Sequence, residues 1–449
     1  MIRYHARWVL PISSLPIRDG TVIEHEGRIT YVGPRDEAPD SGHHTDHDLG
    51  DCALLPGLVN AHTHLELTVF RGLLEDLSFR EWIARLQGAK VAVMSPGRFL
   101  DSARWGIVEG LRAGITTFAD TCDSGVVLEA MRERGVRGIM YQEVFSPSAD
   151  PAAVREAAAR LAEKLALHDM LETELQQVGV SPHAPYTVSD PLFAHVARMG
   201  RRIAVHIAES DAEHRFVCEG EGPFADAHRA RGFSVVRRAD SPIALLAKLG
   251  VLDAQPLLIH CVRVSDADIA SIASSKSTVA HCPISNAKLG HGVAPVLQML
   301  DAGIAVGLGS DSMAANNRMH LLEESRAAVL AQRIRAATSN ALPSARALAL
   351  ATLGGARALG LDAQVGSLEV GKAADLAAFD LSSLAGSADA DPESALVFAL
   401  GAEPAKFVAI AGVPKVRDWE LLDEDLELHG RVTGTIAALR EWMGAQTRT

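Results

Sequence analysis

Residues 56–72 read PGLVNAHTHLELTVFRG and carry two histidines, His62 and His64, separated by a single threonine. A short apolar segment, Leu54–Val59, precedes them and is interrupted by a proline-glycine pair. If the segment is a strand, both imidazoles lie on one face, because side chains alternate along an extended chain. Such a pair can bind one metal ion, and it also fits a polar rim where a strand meets solvent. The rest of the chain decides between these two interpretations.

Seven further apolar segments follow, separated by amphipathic, alanine-rich stretches with helical periodicity. The segments are Thr116–Ala119, Gly138–Gln142, Gln177–Val180, Ile203–His206, Leu257–His260, Thr278–His281 and Ile304–Leu308. Strands that alternate with helices predict parallel β/α units, and eight such units predict an α/β fold of the (β/α)8 barrel type. A doubly wound open sheet fits the alternation almost as well. The positions of the polar residues are therefore needed to choose between the two folds.

Polar side chains follow every one of these predicted strands. In chain order they are His62 and His64, Asp120, Glu143, His183, His206, His260, His281 and Asp311. Catalytic groups of (β/α)8 barrels gather where the strands end, so the pattern favours the barrel and we expect these side chains to meet at one mouth. The other histidines are expected to face solvent or to be hydrogen-bonded locally; they are His5, His25, His43, His44, His47, His168, His195, His214, His228, His291, His320 and His429.

Both ends of the chain contain short β-branched runs with glycine turns, among them Thr21–Glu24, Arg28–Val32 and residues 406–423. These runs predict short strands, and they flank the long β/α region on both sides. We therefore predict a small composite β-sandwich domain built from residues 1–55 and 362–449, and a barrel built from residues 56–361.

The composition is that of a soluble globular protein, with 48% hydrophobic and 22% charged residues among 449. A net charge of −13 argues against a nucleic-acid-binding surface. No apolar run approaches the roughly 20 residues needed to span a membrane, and the first residues lack the pattern of a signal peptide. We therefore expect a cytoplasmic protein without membrane contacts. The five cysteines include no CxxC pair, which argues against a disulfide framework, and Cys261 and Cys282 are interpreted as small buried thiols under strands.

Three histidines and one aspartate at the strand ends suggest a ligand set for a metal ion. His206 ends the strand in RRIAVHIAES, and Asp311 ends the strand in AVGLGSD. Together with the first histidine pair they offer three imidazoles and a carboxylate, which suit zinc or ferrous iron and leave room for water. Glu209 lies three residues after His206, where a proton shuttle would be needed, and His260 could hold the attacking water. Taken singly, each of these residues also fits a surface glutamate or a satisfied core histidine.

Ordered motifs extend this pattern along nearly the whole chain. They are HTH at 62–64, SPHAPYTVS at 181–189, HIAE at 206–209, HCPISNAKL at 281–289, GLGSDS at 307–312 and GSLEVGKAADLAAFD at 366–380. Together they resemble the amidohydrolase superfamily, and the C-terminal motif is similar to its chlorohydrolase/deaminase branch. The resemblance implies a (β/α)8 barrel, a flanking β-sandwich from both termini and one divalent metal ion, Zn²⁺ with Fe²⁺ as the alternative. It implies His62, His64, His206 and Asp311 as ligands, with Glu209, His260 and Asp311 in catalysis.

The scarcity of lysine bears on the number of metal ions. Binuclear relatives bridge two ions with a carboxylated lysine from the fourth strand, or occasionally with an acidic residue. Here no lysine lies between Lys164 and Lys248, and the fourth predicted strand runs into His183. The sequence therefore favours a mononuclear site.

For function, the resemblance implies hydrolytic deamination of an amino-substituted nitrogen heterocycle with release of ammonia. We expect an adenine-type nucleoside: aminodeoxyfutalosine, adenosine, methylthioadenosine or adenosylhomocysteine. The stretches HTHLELT and YQEVF resemble the aminodeoxyfutalosine deaminases of this branch. Alternatives are an amino- or chlorohydrolase of triazines or pyrimidines and a guanine- or cytosine-type deaminase. A non-catalytic scaffold of the same fold is a third reading, but it predicts missing ligands and none is missing.

Five further residues are predicted to contact the substrate. The resemblance points to His183 and His281 as contacts of the heterocycle, because related nucleoside deaminases use the strand-4 histidine against substrate. Glu66 and Glu143 either bind ribose hydroxyls or form a salt bridge at the barrel mouth, and Trp82 either forms an apolar wall or packs in the core. The partner is thus a small heterocyclic molecule, and pairing of barrel helices into a homodimer is a mild preference.

Overall fold

The computed structural model describes residues 1–39 and 44–446, so the prediction for His43 lies outside the described residues. The strands are β1 Ile2–Val9, β2 Ile17–His25, β3 Arg28–Pro34, β4 Thr45–Asp48, β5 Cys52–Pro56, β6 Leu58–Thr63, β7 Ile115–Cys122, β8 Arg137–Val144, β9 Gln176–Pro182, β10 Ala204–Ile207, β11 Leu257–His260, β12 Thr278–His281, β13 Val306–Leu308, β14 Leu376–Asp380, β15 Phe407–Ile410, β16 Val413–Arg417 and β17 Glu420–Leu421. The helices are α1 Phe79–Val93, α2 Pro96–Arg112, α3 Val127–Arg134, α4 Pro151–Asp169, α5 Asp190–Ala197, α6 Asp211–Cys218, α7 Pro223–Ala230, α8 Pro242–Lys248, α9 Asp266–Ser275, α10 Pro283–Lys288, α11 Val296–Asp301, α12 Met313–Asn316, α13 Leu321–Ala336, α14 Ser344–Ala349, α15 Gly355–Ala358, α16 Pro392–Ser394 and α17 Leu428–Gln446.

Eight parallel strands follow one another in chain order around the barrel. They form two four-stranded sheets, β6-β7-β8-β9 and β10-β11-β12-β13. A parallel bridge between Val180 and Ile203 joins the sheets at one edge, and a bridge between Thr63 and Asp311 joins them at the other. Because the sheets meet at both edges, the open-sheet alternative is wrong. The predicted α/β fold with a (β/α)8 barrel is confirmed.

The first predicted strand is divided between two sheets. Residues Cys52–Pro56 belong to β5, which pairs antiparallel with β14 in the sheet of the chain ends, and the barrel strand β6 begins only at Leu58. Gly57 marks the crossing, because a Cβ atom there would lie 2.2 Å from the Thr116 hydroxyl oxygen. Its amide donates to the carbonyl oxygen of Asp375 at 2.9 Å. The prediction of one strand over Leu54–Val59 is therefore wrong. The hydrophobic pattern did not reveal the boundary, because both halves are equally apolar and both are buried.

Strands from both ends of the chain form one nine-stranded sheet. Its order is β17-β16-β15-β14-β5-β1-β2-β3, and β4 pairs with β1. The helix α17 leaves this sheet and packs against α1 and α2, where the Arg431 guanidinium lies 3.0 Å from the Asp101 carboxylate. The division into a sandwich of residues 1–55 and 362–449 and a barrel of residues 56–361 stays a prediction.

A buried ion pair ties the barrel to this sheet. The guanidinium of Arg137, at the start of β8, makes two hydrogen bonds to the carboxylate of Asp375, at 2.9 and 3.1 Å. The side chains are only 6% and 1% exposed. The same carboxylate accepts the backbone N–H of Ala411 at 2.8 Å. Two oxygens with three donors leave little of this charge unsatisfied, so the pair fixes how the two parts meet.

The remaining sequence expectations concern thiols and membranes. All five cysteines are free, and four of them are buried, whereas Cys218 is half-buried. Among the described residues, none of the helices combines the length and the apolar character needed to cross a bilayer.

Candidate active site

The predicted ligands meet where the barrel strands end. Donor atoms of His62, His64 and His206 lie within 4.8 Å of one another, and so do those of His62, His260 and Asp311. His62 Nε2 lies 3.4 Å and His64 Nε2 lies 3.7 Å from the same oxygen of Asp311. Strands β6, β10 and β13 therefore bring all four side chains to one point at the mouth.

The donor atoms of this cluster suit a divalent cation. His206 Nδ1 lies 3.1 Å from the carbonyl oxygen of His183, so Nδ1 carries the hydrogen and Nε2 presents a lone pair. That Nε2 lies only 3.3 Å from Nε2 of His64, and His62 Nε2 is buried with no hydrogen-bond partner among the described residues. Hydrogen bonds among these residues leave His62 Nε2 unpartnered beside an Asp311 carboxylate oxygen, which is an arrangement that a shared cation would satisfy. A divalent metal ion therefore fits the residues.

The electrostatics of the cluster favour the ligand forms of its side chains. Burial, followed by the neighbouring His62 and His260, lowers the pKa of His206 to about 3, so its imidazole is neutral at physiological pH. Burial alone would raise the pKa of Asp311, but His62 and His260 outweigh it and hold the pKa well below its usual range. Neutral imidazoles and an ionised carboxylate are the forms that bind a metal.

Local backbone geometry holds Asp311 in place. Its φ is +57°, and its carboxylate accepts the Ser312 amide at 2.6 Å and the Ser285 hydroxyl. Its own amide donates to the carbonyl oxygen of His62 at 2.9 Å. Gly309 permits this approach, because a Cβ atom there would lie 2.9 Å from His62. The glycines in GLGSD thus let two ligand-bearing strands come into contact.

Glu209 and His260 face each other beside the metal cluster. His260 Nδ1 lies 3.0 Å from the side-chain oxygen of Asn286, which places the hydrogen on Nδ1 and turns Nε2 toward Glu209 Oε1 at 3.5 Å. The Glu213 carboxylate accepts the backbone N–H groups of Ala208 and Glu209 at 2.8 and 2.9 Å. Asn286 and Glu213 were missed in the sequence, although Asn286 stands within HCPISNAKL.

His291 is a third residue that sequence reasoning missed. It was expected to face solvent or to bond locally, but it is only 5% exposed and its Nε2 lies 3.3 Å from Glu209 Oε1. Two glycines with positive φ, Gly290 at +71° and Gly292 at +109°, flank it. A histidine between glycines was the available signal of a tight turn. Burial raises the pKa of Glu209, but His260 and then His291 outweigh it, so the net shift is downward.

His183 and Glu143 stand next to the ligands. His183 Nδ1 lies 2.8 Å from the Thr187 hydroxyl, which itself donates to the Ala184 carbonyl oxygen at 3.1 Å. The hydrogen is therefore on Nδ1, and Nε2 of His183 is an acceptor. Glu143 has a donor atom within 4.8 Å of His183 and His206, and its Oε1 is buried without a hydrogen-bond partner among the described residues. Burial raises the pKa of Glu143 to about 8, so its carboxyl group is mostly protonated at neutral pH.

Glu66 has a different environment from Glu143. One oxygen accepts the Ser124 amide at 3.1 Å, the Ser124 hydroxyl and the Cys122 thiol at 3.1 Å. The other oxygen lies 3.5 Å from the ammonium of Lys90, a half-buried residue of α1 that the sequence did not reveal. Of the two roles expected for Glu66, the structure contains the salt bridge at the mouth.

The two remaining predicted substrate contacts, His281 and Trp82, have different surroundings. His281 ends β12, and both of its ring nitrogens are buried without a hydrogen-bond partner among the described residues. Burial, followed by His260, lowers its pKa to about 3. Trp82 packs in the main core, and its indole N–H lies 3.4 Å from the Ala314 carbonyl oxygen, so core packing accounts for it.

Aromatic rings that were not predicted line the approach to His183. Tyr186 stacks on Phe224 at 4.1 Å between ring centroids, and its ring lies 5.8 Å edge-on from His183. Phe79, on α1, lies 6.1 Å from Phe224. Planar rings from α1, α7 and the loop after β9 provide an apolar surface of the kind that a flat heterocycle packs against.

Comparison with known proteins gives consistent matches. The amidohydrolase family model matches residues 53–415. The 5-methylthioadenosine/S-adenosylhomocysteine deaminase of Moorella thermoacetica is 33% identical over 352 residues, 77% of each chain. The 5′-deoxyadenosine deaminase of Methanopyrus kandleri is 28% identical over 422 residues, 90% of this chain and 91% of the other.

Solved structures extend the likeness over the whole chain. An adenosine deaminase from Xanthomonas campestris with bound zinc superposes with a TM-score of 0.86 at 30% identity, covering 99% of this chain and 98% of the other. The atrazine chlorohydrolase TrzN of Arthrobacter aurescens superposes with a TM-score of 0.82 at 23% identity, covering 97% and 100%. At that lower identity the likeness concerns the fold alone.

Proposed function

The chain belongs to the amidohydrolase family, and we propose that it is a metal-dependent deaminase that hydrolyses the amino group of an adenine-type nucleoside and releases ammonia. The observation that carries the proposal is the convergence of His62, His64, His206 and Asp311 at one mouth with Glu209 beside them. The relatives named as methylthioadenosine, adenosylhomocysteine and 5′-deoxyadenosine deaminases support this substrate class.

We propose that the resident metal is a single Zn²⁺, with Fe²⁺ as the alternative. Three imidazoles and one carboxylate form a typical zinc donor set, and a neighbour of the same fold binds zinc. A second cluster, formed by Glu143, His183 and His206, shares His206 with the first. Because Nδ1 of His206 is engaged by the His183 carbonyl, only Nε2 can bind an ion. This sharing supports one ion per chain.

The residues of the site would then carry out different steps of the reaction. A divalent ion at this place lowers the pKa of bound water toward neutrality. The Glu209 carboxylate would take a proton from the attacking water and deliver it to a ring nitrogen next to the reacting carbon. Asp311 and Nε2 of His260 would orient the water. Asp311 would accept the second proton and pass it to the amino group, which would leave as ammonia when the C–N bond breaks. The buried position of all three side chains excludes bulk water from these transfers.

On the substrate side, we propose different roles for the two glutamates. Glu143 has an unpartnered buried oxygen next to His183, so it would donate or accept a hydrogen bond to the bound nucleoside. Nε2 of His183 would contact the heterocycle, and His281 would lie behind it. Glu66 would hold Lys90 in position rather than contact substrate. A cytoplasmic location and a homodimer stay predictions.

Ammonia release tests this proposal directly. Purified enzyme with measured metal content would be assayed with adenosine, 5′-deoxyadenosine, methylthioadenosine, adenosylhomocysteine, aminodeoxyfutalosine, guanine, cytosine and amino-triazines. We expect kcat/KM to be highest on an adenine nucleoside, and a Glu209→Gln variant with unchanged metal content serves as the negative control. Turnover of triazines or pyrimidines without turnover of any adenine nucleoside would establish the alternative instead.

A further inference from the structure

We propose that His291 is a positioning residue that fixes which oxygen of Glu209 carries the proton during catalysis. The inference rests on the proposed deaminase function, because that function makes Glu209 the proton carrier. The geometry that supports it is a carboxylate that has one oxygen in close contact with the rings of both His291 and His260.

Both imidazoles lie against the same oxygen atom. Oε1 of Glu209 is 3.3 Å from Nε2 of His291 and 3.5 Å from Nε2 of His260. Both contacts leave Oε2 without a hydrogen bond among the described residues, so it is the oxygen available to a substrate nitrogen. His291 therefore directs Oε2 toward the substrate by holding Oε1.

The loop after β12 holds His291 rigidly enough for this role. Its amide donates to the carbonyl oxygen of Asn286 at 2.9 Å, and the side-chain oxygen of Asn286 lies 3.0 Å from His260 Nδ1. One residue thus sets the position of both imidazoles that contact Glu209. On its other side, His291 packs edge-on against the ring of Phe79 at 4.6 Å between centroids.

The backbone of Glu209 is fixed independently of His291. The carboxylate of Glu213 accepts the amides of Ala208 and Glu209, and Ala208 has a φ of +52°. With the backbone held in this way, the side-chain rotamer remains to be set. Rotation of the Glu209 carboxylate would exchange its two oxygens, and the contact with His291 opposes that rotation.

Kinetics of three variants test the inference. We expect His291→Phe to lower kcat roughly 10- to 100-fold, because the charged Glu209 carboxylate would lose a close polar contact. KM should change less than about twofold, because the substrate contacts are intact. His291→Gln keeps an N–H donor and should recover part of the lost rate. His320→Gln is the matched control, since His320 is also buried but bonds the Glu403 carbonyl oxygen away from the site.

A spectroscopic measurement tests the contact without any turnover. In protein labelled with ¹⁵N-histidine, the ring resonances of His291 are identified by their loss in His291→Gln. Glu209→Gln should shift the His291 ring resonances and leave those of His320 in place. Metal content is measured in every variant, so that loss of the ion is not mistaken for loss of positioning.

Each outcome decides one of the two proposals. Wild-type kcat in His291→Phe, or His291 resonances that do not respond to Glu209→Gln, would overturn the positioning role. If the wild-type enzyme deaminates no nucleoside, the proposed function fails, while the resonance shift still decides whether His291 and Glu209 are coupled.

Discussion

Arg137→Met should destabilise the protein more than any surface change, because it leaves the charge of Asp375 buried. The Asp375 side chain is 1% exposed, and Arg137 supplies two of its three hydrogen-bond donors. Breaking a buried ion pair by removing one partner costs about 3–5 kcal/mol. The free energy of unfolding should fall by this amount. It is obtained from the midpoint and slope of the first unfolding transition in urea, with wild type and variant at equal metal content. Below the transition, kcat should match the wild type.

The double variant Arg137→Met with Asp375→Asn is the matched control. An asparagine at 375 keeps an oxygen for the Ala411 amide and carries no charge. We expect it to recover all but about 1–2 kcal/mol of the loss, as expected for exchanging a buried pair for neutral groups. The reasoning would be refuted by a single variant as stable as the wild type, or by a double variant no more stable than the single one.

The other predictions concern the site. His206→Ala should lose bound metal and turnover together, as measured by elemental analysis and ammonia release; wild-type protein that holds close to two ions per chain would contradict the single-ion proposal. Glu209→Gln should keep its metal and lose roughly 10²- to 10⁴-fold in kcat, and near-normal turnover would remove this residue from the mechanism. Glu143→Gln should raise KM without changing the midpoint of thermal unfolding. Glu66→Gln should lower that midpoint, because Lys90 would lose its closest carboxylate. The reverse pattern would show that Glu66 binds substrate and Glu143 stabilises the fold.

The site residues that could be predicted share one property: each lies at the end of a barrel strand. His62, His206 and Asp311 follow apolar segments directly, and parallel strands bring such positions together whatever the sequence distance between them. The topology of a barrel determines which residues meet at its mouth, so the ends of predicted strands are enough to find them in a single sequence.

Residues on loops and helices could not be predicted in the same way. Lys90 lies on α1, where a lysine is ordinarily exposed, and its partner Glu66 comes from a separate segment. His291 packs against Phe79 of α1, which lies far from it in the sequence. Such contacts depend on how helices pack across the barrel mouth, and hydrophobic periodicity carries no information about that packing.

The boundary within Leu54–Val59 was misplaced for a further reason. Hydrophobicity reports burial, and β5 and β6 are both buried although they belong to different sheets. Only the space around Gly57 distinguishes them. A glycine within an apolar run was the signal in the sequence, and it fits a close approach of backbone to a neighbouring side chain.

The crossing at Gly57 makes the two parts of the molecule inseparable in practice. The chain passes from β5 in the terminal sheet through one glycine into β6, the strand that carries His62 near its end. A protein truncated before residue 56 would begin at the metal-binding strand with its first residues unanchored, and we expect it to lose metal affinity as well as stability. For the same reason, a protease should cut this junction only after global unfolding. A designer who wished to graft this barrel onto another scaffold would have to keep the terminal sheet with it.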